Sequence, residues 1–487
     1  MFIRPRIPTH GTLPALCFFL SVFLSLGGSP IDRGPPGAST AFAQNSPFIW
    51  GAAFSAHQTE GGNDQSDWWD WEHAPGHIAG DQSTEIATDH WNRYGEDFEL
   101  AQNIGLQSVR ISLSWARLEP EPGVFDQTAI EHYKQVLLMM HLKGLTPMVA
   151  LHHFVHPRWF HAAGGWASPQ APQLFARFAA MAAREFGPLV PMWITFNEPM
   201  VQVVEGYLKG NYPPGVRSFE TAVLAYANLV RAHGLAAREL RAHPAPSQGL
   251  PFHGVGLALN THAFYASHSG VLSAPAAEDL AAIEVLERLY YSAFLEAAQT
   301  GQFHWQIPPI KALPLLPQGH NLDLAIPEAA HSLDWIGVNY YNPWIIARDR
   351  SNDLGIRWIT PTGSQTDLGW VIDAAGLEHV LGKINLHNSD HLPLVVTENG
   401  IADAGDTQRQ KFIEQHITAT QRARAAGIDV RGYYYWSLTD NFEWLLGYGP
   451  RFGLIGINYR SGPIFLNRSV RPSALWLRDY LKTITKP

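Results

Sequence analysis

Two short motifs place a carboxylate where an apolar run stops. In Met192-Trp193-Ile194-Thr195-Phe196-Asn197-Glu198-Pro199, apolar and β-branched residues leave no room for a helical polar face, as in a buried strand. Pro199 has no N–H to donate and cannot continue a central ladder, so Asn197 and Glu198 stand where the strand ends. Leu394-Val395-Val396-Thr397-Glu398-Asn399-Gly400 presents a second carboxylate in the same way. Two carboxyl groups flanking one bond are what glycoside hydrolysis needs. One protonates the leaving oxygen, while the other attacks the anomeric carbon or activates water, at a separation of about 5 Å for retention and roughly 6.5–9.5 Å for inversion. Glu198 and Glu398 lie two hundred residues apart, so only a closed fold can make them face one another.

The elements that must position them are legible as a pattern. Short apolar runs at 48–54, 108–113, 147–151, 192–197, 255–259, 335–338, 394–396 and 432–435 alternate with amphipathic stretches. Most runs finish on a polar or aromatic residue: Gln58 and Glu60, His152 and His153, Asn197 and Glu198, Asn260, Asn339 and Tyr341, Glu398, Trp436. Arg110 sits inside the second run. Helices are expected at 129–143, 173–186, 221–241 and 409–426, with Gly144 and Gly187 closing the first two. Eight strands alternating with helices imply a parallel sheet with right-handed crossovers, and eight is the number that closes a (β/α)8 barrel. A doubly wound open sheet is the alternative, but it binds ligands at one switch point, whereas here nearly every run ends on polar residues. The expected fold is therefore a single α/β barrel with long βα loops, whose catalytic residues cluster at the C-terminal ends of the strands. No composition break or internal repeat divides residues 45–487, which read as one catalytic domain, and irregular stretches at 267–277, 312–328 and 348–368 are expected to shape the mouth of the site.

Residues 1–44 do not read as fold. Arg4 and Arg6 precede an apolar run over 13–26 and then a Gly/Pro/Ser-rich stretch, in the manner of a secretory signal. Cleavage after Ala41-Phe42-Ala43, cleavage near Gly28, and retention as an uncleaved membrane anchor with a flexible linker all stay open; export to the periplasm or the exterior is expected in each case. The only cysteine, Cys17, lies in this segment and excludes an intramolecular disulfide. A formal charge of −9 argues against nucleic acid or an anionic membrane surface as a main partner. The 17 tryptophans mostly belong to packing, Trp68, Trp69 and Trp71 among them, and sugar stacking is expected only beside a motif. His152, His153, His156 and His161 are a possible ligand cluster, but they follow a strand instead of sharing a helical face, and no metal or cofactor is expected.

Taken together, these motifs resemble glycoside hydrolase family 1, the β-glucosidase family, from residue 48 to about residue 481. The resemblance rests on Phe48-Ile49-Trp50-Gly51-Ala52-Ala53-Phe54-Ser55-Ala56-His57-Gln58-Thr59-Glu60-Gly61, on Thr-Phe-Asn-Glu-Pro and Thr-Glu-Asn-Gly, on Asn339-Tyr340-Tyr341, and on Trp436-Ser437-Leu438-Thr439-Asp440-Asn441-Phe442-Glu443-Trp444. It implies that Glu198 is the acid/base and Glu398 the nucleophile of a retaining double displacement, with Arg110 and Tyr341 holding the nucleophile. It implies that Asn197 binds the sugar 2-hydroxyl, with Asn339 beside it. Gln58, His153, Glu443 and Trp444 would read the remaining hydroxyls above a floor formed by Trp436. The expected substrate is a small carbohydrate, a β-glucoside with tolerance for galactose or fucose. An unphosphorylated sugar is expected because Glu443 would repel a 6-phosphate. Glu198 is present where the myrosinase branch lacks its acid/base, which favours ordinary O-glycosides. Two departures, His57 for the usual Tyr or Phe and Phe154-Val155-His156-Pro157 for the common Trp-Asp-Leu-Pro, leave the aglycone open, and the oligomeric state is not legible. A transglycosidase using the same intermediate and a non-catalytic sugar-binding barrel are the alternative readings.

Overall fold

The eight apolar runs become eight parallel strands: β1 (Ile49–Ala53), β2 (Ser108–Ser112), β3 (Thr146–His152), β4 (Met192–Asn197), β5 (Gly254–Ala266), β6 (Trp335–Arg348), β7 (Leu394–Asn399) and β8 (Val430–Trp436). The computed structural model describes residues 48–247, 249–266, 277–306, 321–348, 356–359, 361–460 and 465–484. Residues 1–44, read from the sequence as a secretory signal or anchor and containing Cys17, lie outside the described residues, as does most of the irregular stretch at 267–277. Each strand pairs in parallel with its neighbour in sequence, and β8 pairs with β1 through Ile49↔Gly432 to Ala53↔Trp436. That last pairing closes the sheet, and a closed sheet has no edge to protect.

Closure explains why the strands are nearly continuous apolar runs: one face packs against the surrounding helices and the other fills the barrel. Met148, Ala150, Met192, Ile194, Ala258, Trp335, Val395 and Tyr434 form the buried plug of the interior. The outer layer is the larger core, where Phe175, Phe178, Met181 and Ala182 of the helix Ala171–Phe186 present one buried stripe. The helices predicted at 129–143, 173–186, 221–241 and 409–426 occupy Gln127–Leu142, Ala171–Phe186, Phe219–Arg241 and Arg409–Ala425.

Gly187 caps its helix as expected, at a φ of −48°; a Cβ there would stand 2.3 Å from the His243 carbonyl oxygen, so close approach is what requires glycine. Two details differ from the sequence reading. Asn260 does not end its strand, because β5 runs on to Ala266 alongside β6. The stretches read as irregular also contain strands: Asn321–Ala325 pairs antiparallel with Gln302–Gln306, and Ile356–Ile359 pairs antiparallel with the far end of β6. Among the described residues no helix is long and apolar enough to cross a membrane.

Candidate active site

The strand ends converge as barrel geometry requires. Glu198 follows β4 directly and sits in the left-handed region at φ 48°, a conformation a non-glycine residue adopts only when its surroundings impose it. Here its N–H donates to the Ala258 carbonyl of β5 at 2.8 Å, while Pro199 opens the next helix. Glu398, on β7, faces Asn339 on β6 in the strand register.

A continuous set of hydrogen bonds joins the two carboxylates. Arg110 Nη2 donates to Glu398 Oε1 at 2.5 Å, and the Tyr341 hydroxyl donates to Glu398 Oε2 at 2.5 Å. Arg110 Nη1 donates to Asn197 Oδ1 at 3.1 Å. The Asn339 amide donates to that same oxygen at 3.0 Å and to Glu198 Oε1 at 3.0 Å. Its own orientation is set by the Thr397 hydroxyl, which donates to Asn339 Oδ1 at 2.7 Å. Since Arg110 and Asn339 both address Asn197 Oδ1, the Asn197 amide N–H2 is left for another acceptor; His153 Nε2 lies 3.5 Å from it.

The electrostatics separate the two acids. Glu198 is pushed up to about 8, first by burial and then by the negative charge of Glu398, against the opposing pull of the Asn339 hydrogen bond and Arg110. At neutral pH it therefore carries a proton. Glu398 is buried with a guanidinium against one oxygen and a phenol against the other, both donating to it. The Tyr341 phenol is pushed well above its ordinary value by burial and by Glu398, so it stays a donor. A protonated acid facing a second carboxyl group that two donors hold in place is the division of labour that glycoside cleavage calls for.

Around this pair runs a wall of near-parallel rings. His57 lies against Trp444 with an interplanar angle of 5°, Trp444 against His153 at 17°, and His153 against Trp436 at 16°. Burial drives the His153 imidazole well below its ordinary value, with Arg110 adding to the effect, so it is neutral and able to bond a hydroxyl. Glu443 is pushed up to about 8 by burial and by Glu398, and its Oε2 is buried without a hydrogen-bond partner. Gln58 is also at the wall, but both of its polar atoms are engaged: Oε1 accepts from the Ser55 hydroxyl, and Nε2 donates to the Phe442 carbonyl at 2.8 Å and to Asn441 Oδ1 at 3.2 Å. All the residues expected from the sequence thus belong to one constellation.

What the sequence reading missed lies mainly behind this wall. His57 is tied to Glu72 at 3.2 Å and to Asn63 at 3.2 Å, so its role is to back Trp444. Trp68 is fully buried and packs on Trp444 at 4.6 Å, in keeping with its reading as packing. Thr397 was quoted only as part of a motif; its hydroxyl on Asn339 could have been anticipated only from knowing that β6 and β7 are neighbours. Of the four histidines, His156 and His161 do approach one another, together with Asp67, a residue not singled out in the sequence.

Comparison with known proteins agrees with this geometry. β-Glucosidase A of Acetivibrio thermocellus is 30% identical over 461 residues, spanning 89% of this chain and 97% of that protein. A β-galactosidase of Pyrococcus woesei is 29% identical, spanning 84% of this chain and 92% of that protein. Among solved structures, the family 1 β-glucosidase from Thermotoga maritima superposes with a TM-score of 0.79 at 28% identity, covering 89% of this chain and 97% of that one. With the profile of glycosyl hydrolase family 1 matching residues 40–485, and with the paired carboxylates at the strand ends, the chain belongs to glycosyl hydrolase family 1.

Proposed function

We propose that the protein is a retaining β-glycosidase, foremost a β-glucosidase, that cleaves terminal non-reducing β-D-glucosyl residues from O-glycosides. The observation that carries this reading is the pair of unlike carboxyl groups: Glu198 raised to about 8, and Glu398 bonded by Arg110 and Tyr341. In this mechanism Glu398 attacks the anomeric carbon while the proton on Glu198 passes to the leaving oxygen. The aglycone departs as an alcohol and the sugar is esterified to Glu398. Glu198, now ionised, takes a proton from water as that water attacks the same carbon from the opposite face. Glu398 is released and the configuration is restored.

Asn197 Nδ2 is oriented to accompany the sugar 2-hydroxyl, a contact that strengthens as charge develops on the ring. His153, Glu443 and Trp444 would read the other hydroxyls, with Trp436 beneath the ring. Glu443 Oε2, lacking a partner within the protein, is matched to a sugar hydroxyl. Gln58 can take part only by sharing atoms that already hold the Phe442–Asn441 turn. The relatives include proteins named for glucose and for galactose, so both sugars fall within the reading. The leader at 1–44 supports export, with or without an uncleaved anchor.

A panel of aryl β-glycosides, with the anomer of the first product read by NMR, tests the proposal. A β-configured first product and preference for β-glucosides are expected. An α-product first, or preference for α-linked sugars, would overturn it.

A further inference from the structure

On the far side of the ring wall, two loops bring together ligand atoms that the glycoside chemistry does not use. Asp67 opens the short helix Asp67–Glu72, and His156 lies in the loop after β3. The two residues clasp each other: the Asp67 N–H donates to the His156 carbonyl at 3.1 Å, and the His156 N–H donates to the Asp67 side chain at Oδ1, 3.0 Å away. The clasp sets Asp67 Oδ2 3.2 Å from His156 Nε2, with both side chains fully buried. Yet neither atom makes a hydrogen bond of proper geometry, and His156 Nδ1 is also unpartnered. Unsatisfied buried polar atoms are costly enough that each calls for an explanation. His161, on the next helix, completes the group: one ligand atom from each of Asp67, His156 and His161 lies within 4.8 Å of the others.

We propose that Asp67, His156 and His161 bind a single divalent transition-metal ion of the zinc class. Two imidazoles and one carboxylate form a donor set suited to zinc and unlike the all-oxygen sets of calcium and magnesium. Zinc bonds of about 2.0–2.1 Å in a tetrahedron put ligand atoms roughly 3.3 Å apart. The Asp67–His156 gap of 3.2 Å already meets that distance. His161 is exposed, and a change of its side-chain rotamer would close the remaining distance and leave the fourth position to water. The site would pin the loop that follows His153 to the helix that carries Trp68, stiffening the back of the sugar pocket without joining the reaction. It departs from the sequence expectation that no metal is bound.

The competing explanation is a plain Asp67–His156 hydrogen bond with His161 a bystander, and the two separate cleanly. The tag-free full chain, stripped with chelator, is titrated with Zn2+, and bound metal is measured after dialysis alongside Tm. One Zn2+ per chain is expected, with Tm raised by roughly 3 °C at a hundredfold excess over Kd for a chain of this size. His161→Ala, an exposed change that should leave the Tm of the metal-free protein unaltered, is expected to weaken binding at least tenfold; Asp67→Asn is the second variant. Absence of stoichiometric binding, or His161→Ala binding Zn2+ as tightly as the wild type, would overturn the proposal.

Discussion

Replacing Glu398 by Gln should change the acidity of Glu198 by an amount the structure constrains. The negative charge of Glu398 is the second contributor, after burial, to holding Glu198 at about 8. Two unit charges about 5–8 Å apart, in a medium of effective dielectric about 20, repel by roughly 2–3 kcal/mol, which is about 1.5–2.4 pH units. The substitution also leaves Arg110 uncompensated, and its charge already favours the ionised form of Glu198. Both effects act downward, while the Asn339 hydrogen bond to Glu198 is untouched. Glu198 is therefore expected to titrate near ~6 in Glu398→Gln. The measurement is a pH titration by NMR of protein carrying carboxyl-13C glutamate, with Glu198 assigned by its absence in the Glu198→Gln, Glu398→Gln double variant. In the wild type the same group sets the alkaline limb of kcat/KM, so activity should fall as pH rises through about 8. If Glu198 in Glu398→Gln still titrated at its wild-type value, burial alone would account for it. The two carboxyls would not then face each other, and the mechanism would fail.

Glu398→Ala should abolish turnover and be partly rescued by azide with an α-linked product, since azide replaces the missing nucleophile in a single inversion; a β-linked azide product would count against the assignment. Glu198→Ala should spare the first step for aryl glycosides with good leaving groups yet slow deglycosylation, visible as a burst followed by a low steady rate. Tyr341→Phe removes a hydrogen bond to a charged oxygen, worth about 1.5–3 kcal/mol, so kcat/KM should fall roughly 10- to 150-fold with little change in Tm. Stability should peak near pH 6.5. Burial lowers His152 and His233 to about 3 and His132, His262 and His416 to about 4, so these groups bind protons more readily unfolded, and stability is lost as pH falls from 6.5 towards 4. Glu198 and Glu443, raised to about 8, act with the opposite sign: the folded state holds their protons more tightly, and their contribution is lost as pH rises from 4.5 through about 8. A Tm that did not fall between pH 6.5 and pH 4 would contradict the buried, neutral state of these histidines.

Local chemistry accounts for what could be read from the sequence. A run such as 192–197 carries its own strand signal, and Pro199 marks its end without reference to any other segment. Eight such runs separated by amphipathic helices leave few ways to bury every apolar face, so the barrel and the placing of Glu198 and Glu398 at one end follow from pattern alone. The strand register, the left-handed backbone at Glu198 and the bond from Thr397 to Asn339 do not, because each depends on which strands become neighbours once the sheet closes. The acidity of Glu198 belongs wholly to the tertiary structure: burial and a like charge two hundred residues away create it, and an isolated glutamate has neither. The same holds for Asp67 and His156, which the sequence keeps 89 positions apart. Only the clasp between their loops turns an acid and an imidazole into a pair with ligand atoms to spare, because proximity across a closed barrel is a property of the fold and not of the chain order.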